Sequence, residues 1–139
     1  MRFMVMVKHK DEYGPPNSEL IAAMGKYNEE LVKAGVMKGG EGLLPSAKGA
    51  IVSFSRSGTK VTDGPFSEAK ELVGGFWIFE VKSKEEALYW VRRIPFEEGE
   101  VEVRQIAEVE DYKRDEISAP ALDQEQAWRD SGDWDQQVG

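Results

Sequence analysis

Residues 76–81, Phe-Trp-Ile-Phe-Glu-Val, limit what this chain can fold into more than any other segment. Alternation along a strand puts Phe76 and Ile78 on one face and Trp77 and Phe79 on the other. Both faces are apolar, so a sheet built around this strand needs a cover on each side. The surrounding pattern supplies one cover. Residues 3–7 are a short apolar run of Phe, Met and Val ending in Lys8-His9-Lys10, which predicts a buried strand. Leu20, Ile21, Met24, Tyr27, Leu31 and Val32 recur at helical spacing behind Ser18, the expected N-cap, and Gly35 stops the helix. Residues 36–44 read as a second strand, loosened by Gly39, Gly40 and Gly42. Residues 50–55 alternate and turn through Ser57-Gly58 into residues 59–62, a small hairpin. Ser67 to Leu72 offers one helical turn before Gly74-Gly75 leads into the apolar strand. Ser83 with Glu86 forms a capping box. It opens a helix carrying Ala87, Leu88, Trp90, Val91 and Ile94, with Pro95 just past its end. Residues 101–106 alternate as a last strand.

The order is β-α-β-(β-hairpin)-β-α-β. This predicts an α+β fold: a ferredoxin-like βαββαβ antiparallel sheet with a hairpin inserted between its second and third core strands. Two helices cover one face of such a sheet and leave the other bare. Pairing two sheets across a twofold axis would cover it, so a homodimer with a cavity between the sheets is expected.

The first 107 residues form one domain and residues 108–139 an acidic C-terminal tail or docking arm. The tail holds ten acids against three bases, or −7, out of a net −8 for the chain. The nearly neutral body offers no basic surface, which argues against nucleic-acid binding. Disorder is the default for so charged a tail, interrupted at Pro120. Trp128 and Trp134 argue instead for an arm that docks on the body, on a dimer partner or on another protein. Cysteine is absent, which excludes disulfides and thiolate chemistry. No apolar stretch approaches the roughly 20 residues that span a bilayer. With no signal peptide read at Met1, a cytoplasmic protein without membrane contact is expected.

The densest polar chemistry lies in residues 61–71, where an Asp-Gly-Pro turn gathers three carboxylates and a lysine. Asp63 has two readings. It is a turn residue bonding backbone amides or capping residues 67–72, or it is a general base or polar anchor beside an apolar cavity. His9 ends a strand that the fold places centrally, with a side chain suited to proton transfer near neutrality. Its alternative is an exposed histidine between two lysines. Glu41, Glu68, Lys70 and Glu71 are a candidate charged rim that orients a polar substrate, or a solvated loop with weak ion pairs. Phe66 joins the candidate binding residues, or belongs to the core or a dimer interface. No spacing demands a metal. The glycines at 39–42 and 74–75 fit neither a P-loop nor a dinucleotide fingerprint, so no cofactor is expected.

Asp63-Gly64-Pro65-Phe66-Ser67-Glu68-Ala69-Lys70-Glu71, followed by Gly74-Gly75-Phe76, resembles the DGPF family of the YciI-like superfamily. So do the Met-rich first strand, Ala34-Gly35-Val36, Gly40-Glu41-Gly42-Leu43 and Arg93-Ile94-Pro95. The resemblance covers residues 1–107; Ser67 and Ala69 depart mildly from its usual pattern. It implies a ferredoxin-like fold and a two-sheet dimer of the dimeric α/β-barrel type. It also implies a regulatory setting beside an alternative sigma factor. In the wider superfamily a His–Asp pair is proposed for acid–base chemistry; Asp63 matches the acid, while His9 lies outside the usual histidine context. Three functions follow as expectations. One is binding of an unknown small molecule at the dimer interface. The second is a cofactor-independent lyase, isomerase or dehydrochlorinase-like enzyme using Asp63 with His9. The third is a structural interaction module.

Overall fold

The computed structural model describes residues 1–9, 13–66 and 72–136. They form two compact units, Met1–Gln105 and Ile106–Gly139. In the first, a four-stranded antiparallel sheet is built from β1 (Arg2–His9), β2 (Met37–Gly42), β5 (Leu72–Glu80) and β6 (Val101–Gln105). Its spatial order is β2-β5-β1-β6. Strands β3 (Ala50–Ser55) and β4 (Gly58–Asp63) pair only with each other, as a two-stranded sheet. Taken without the hairpin, the four core strands run 2-3-1-4, the ferredoxin-like order.

Register sorts the side chains. Phe3 pairs with Phe79, and Val5 pairs with both Trp77 and Val103. That face is the core, packed against Tyr27 and Leu31 of α1 (Ser18–Lys33) and Ala87 of α2 (Lys84–Val91). Met4 pairs with Ile78 and Met6 with Phe76 on the opposite face, and none of the four is buried. β5 is therefore apolar on both sides, and the two helices cover its Trp77–Phe79 side.

Asn17, not Ser18, caps α1: its side-chain oxygen accepts from the Leu20 amide at 2.8 Å. Either residue type caps well, and the asparagine one position earlier takes the role. The apolar stripe of α1 is also narrower than its spacing predicts. Tyr27 and Leu31 are buried, whereas Ile21 and Val32 lie on the flank, 58% and 63% exposed. At α2 the Ser83 hydroxyl accepts from the Glu86 amide, but the Glu86 carboxylate reaches the Lys82 amide, one residue upstream of the box partner. β5 begins at Leu72, so Gly74 and Gly75 lie inside the strand and do not merely lead into it.

The second unit is helical, against the disorder that so charged a composition makes the default. It holds a short 3₁₀ turn at Val109–Asp111, then α3 (Ala119–Ser131) and α4 (Asp133–Gln136). Pro120 lies in the first turn of α3. A proline there gives up an amide that the helix would leave unpaired anyway, so it starts the helix instead of interrupting it. Gly132 closes the helix in the left-handed conformation, φ 79°.

Candidate functional site

The Asp-Gly-Pro turn packs on the loop that precedes the hairpin. Residues Ser46–Lys48 make one 3₁₀ turn, and the Gly64 amide donates to the Gly49 carbonyl at 3.0 Å. A methyl group on Gly64 would overlap the Ser46 carbonyl, so only glycine fits. The Phe66 amide donates to the Ser46 hydroxyl at 3.0 Å. The motif thus pins the hairpin root shut.

Asp63 ends β4, pairs with Ala50 and is exposed. An aspartate commonly bonds the amide two residues on, but here that residue is Pro65, which has no N–H. The next donor, Phe66, is taken by Ser46. Among the described residues the Asp63 carboxylate accepts no backbone hydrogen bond, and Ser46 holds the Phe66 amide; the start of the turn that Asp63 is expected to cap, residues 67–71, lies outside the described residues. Of the helical turn expected from Ser67 to Leu72, Leu72 instead begins β5, and residues 67–71, with the candidates Glu68, Lys70 and Glu71 among them, lie outside the described residues. Phe66 is half-buried at the hairpin root.

His9 ends β1 opposite Leu72. Alternation places it in the row of Phe3, Val5 and Val7, the helix-side row, and not with Met4 and Met6. Its ring meets Tyr13 edge-on, centroids 6.0 Å apart, and its Cβ would lie 2.6 Å from a methyl group on Gly74. Gly74 is the extra residue of a bulge opposite Val7 and Lys8, and its bareness makes room for the histidine. His9 and Asp63 therefore belong to different sheets. Among the described residues they share no hydrogen bond or ion pair.

Glu41 pairs with Phe76, which puts it on the open face at the β2 edge. The same face carries Lys8 bonded to Glu102 at 3.2 Å and Lys38 bonded to Glu80 at 3.1 Å. These pairs are solvent-accessible and worth little in stability. What they form is a charged rim around an apolar centre of Met4, Met6, Phe76 and Ile78. Sequence periodicity foresaw the centre; the places of Lys8, Lys38, Glu80 and Glu102 at its rim appear only once register is known. A shallow groove of about 430 Å³ at the β1–β6 edge is lined by Lys8, Glu100, Val101 and Glu102. Another, about 350 Å³, runs on the helix side beside Tyr27, Glu30 and Arg93. Among the described residues no group of three or more His, Cys, Asp or Glu side chains comes together to hold a metal. No described helix is long and apolar enough to cross a membrane.

The YCII-related domain pattern matches residues 1–110. The chain belongs to the YCII-related family. An uncharacterised protein of Rhizobium meliloti (strain 1021) is 35% identical over 92 residues, 64% of this chain and 71% of that protein. Among solved structures, 5-chloro-2-hydroxyhydroquinone dehydrochlorinase of Burkholderia phenoliruptrix AC1100, in complex with 2,5-dihydroxybenzoquinone, is similar at a TM-score of 0.38. That likeness spans 78% of this chain and 95% of the other at 17% identity. At this level it carries no argument about chemistry; strand order and register define the fold by themselves.

Proposed function

We propose that this YCII-related protein binds a small, largely apolar molecule in a cavity made when two copies pair their open sheet faces. The observation that carries the reading is that face: Met4, Met6, Phe76 and Ile78 at its centre, with Glu41 and the Lys8–Glu102 and Lys38–Glu80 pairs around it. An apolar patch with a few convergent charged groups is how small-molecule sites are commonly built. The protein works in the cytoplasm as a DGPF-type homodimer, in a regulatory setting beside an alternative sigma factor, and the acidic tail offers a protein partner its surface. The test is a titration with the apolar fluorescent dye ANS, followed by competition with a metabolite panel. Wild type shows saturable binding, and Ile78→Asp abolishes it while keeping the wild-type circular-dichroism spectrum. Equal dye binding by the variant would sink the reading.

A second reading rests on Asp63, whose carboxylate is not used by the described backbone. It makes the protein a cofactor-independent lyase, isomerase or dehydrochlorinase-like enzyme with Asp63 and His9 as its acid–base groups. Loss of a turnover found by screening, in both Asp63→Asn and His9→Ala with folding intact, supports it. Turnover retained in both refutes it.

A further inference from the structure

We propose that the β3–β4 hairpin is an arm that closes over a second copy of the chain, its cations Arg56 and Lys60 seated on the acidic segment at residues 97–100. The inference deepens the dimer reading above and rests on it. Three observations carry it. First, every residue of the two strands is exposed. Val52 pairs with Val61, and with Phe54 they form an apolar stripe on one face, exposed by 46%, 61% and 81%. A lone two-stranded hairpin is marginally stable in water, and a stripe of this kind is an interaction surface. The root, by contrast, is locked through Gly64, Ser46 and Phe66. A firmly rooted, uncovered apolar arm is built to meet something.

Second, the charges are self-complementary. Arg56 and Lys60 are the only charged residues in 50–62, and neither makes an ion pair among the described residues. Glu97, Glu98 and Glu100 are exposed and likewise make none. One chain thus carries two unpaired cations at one place and three unpaired carboxylates at another, which is how a surface selects a second copy of itself.

Third, a dimer of facing sheets brings these places together. Gly75 pairs with both Val7 and Gly42, and Val7 pairs with Val101. The end of β2, from which the hairpin departs, is therefore level with the start of β6, which residues 97–100 precede. They sit on opposite edges of the sheet. A twofold axis parallel to the strands, between facing sheets, keeps the ends level and lays the β2 edge of one copy over the β6 edge of the other. Each hairpin then stands over the partner's acidic segment, and its stripe walls one end of the space between the sheets. The cavity is incomplete without the arm of the second copy.

Sedimentation velocity on the full chain tests this. Arg56→Glu with Lys60→Glu should weaken self-association by about tenfold or more, as should Glu98→Lys with Glu100→Lys. Mixing the two double variants should restore a heterodimer near wild-type affinity, a result that misfolding cannot mimic. A dimer whose affinity ignores both reversals overturns the arm and leaves the cavity between the sheets standing. A wild type that stays monomeric overturns the arm. Dye binding that survives Ile78→Asp, with the charge-swap rescue intact, overturns the cavity alone.

Discussion

The Phe66 amide donates to the Ser46 hydroxyl at 3.0 Å, across twenty residues that contain the whole hairpin. The bond joins the two ends of the insertion beside the Gly64–Gly49 backbone pair. It explains why a Gly-Pro-Phe sequence follows β4 when the aspartate before it bonds no described amide. Gly64→Ala forces a methyl group into the Ser46 carbonyl, with backbone on both sides and no side chain to swing away. We expect it to cost about 1–3 kcal/mol in urea unfolding. Ser46→Ala, which removes only the hydroxyl, should cost about 1 kcal/mol.

Asp63→Ala should change unfolding free energy by less than about 0.5 kcal/mol, as surface substitutions usually do. The same urea titration checks it. A loss of about 1–2 kcal/mol would return the residue to a capping role and remove the main support for the acid–base reading.

Trp77 is 4% exposed and its indole N–H donates to the Asn28 side-chain oxygen at 2.8 Å. A buried indole needs such an acceptor. Asn28→Ala leaves the donor unpaired, for an expected loss of about 1–3 kcal/mol. Asn28→Asp keeps an acceptor and should lose less. Thermal or urea unfolding of the two variants side by side decides the point.

Tyr27 donates its hydroxyl to the Trp90 carbonyl at 2.7 Å. Burial, foremost, pushes the phenol above its ordinary range, with Arg93 lowering it and Glu30 raising it further. The folded state therefore holds this proton after the unfolded chain has released it. The stability it contributes is complete below about pH 10 and falls as pH rises beyond that. Tyr27→Phe should cost about 1 kcal/mol near neutrality, and the gap to wild type should shrink as pH passes 10, the ordinary tyrosine value. A gap that stays constant to alkaline pH would contradict this.

In the second unit the Asp115 carboxylate accepts from the Ser118 and Ile117 amides, each at 2.9 Å, and these bonds hold it below the usual carboxylate range. Its contribution is present above the unfolded value near 3.9 and is lost as pH falls through the lower folded one. A carbon-detected NMR titration should place the Asp115 midpoint below that of free aspartate. An ordinary midpoint would mean that the turn before α3 is not formed.

Much of this fold was legible because periodicity reports burial. Phe76 to Phe79 announced a two-sided strand, Tyr27 and Leu31 a helix face, and residues 50–62 a hairpin. What stayed illegible depended on partners distant in sequence. Nothing local says that Ser46 would take the Phe66 amide from Asp63, or that Asn28 would serve Trp77 from 49 residues away. The tail left two readings open for a different reason. Its composition resembles disordered chain, but Asp115, Ser118, Pro120 and Gly132 are stop and start signals that define a helix despite the charge. At the candidate site, Glu41 gained a place on the open face from its register with Phe76, information that only strand pairing contains.

The four tryptophans divide evenly between the two units, Trp77 and Trp90 in the first, Trp128 and Trp134 in the second. Trp77 is sealed in the core, whereas Trp128 and Trp134 are 41% and 42% exposed, their rings 6.3 Å apart with Arg129 over Trp134. The protein therefore carries its own optical labels. Collisional quenchers reach the tail pair and spare Trp77, so a partner that settles on the helical arm should dim access to one class of emitters while the blue-shifted core signal stays still.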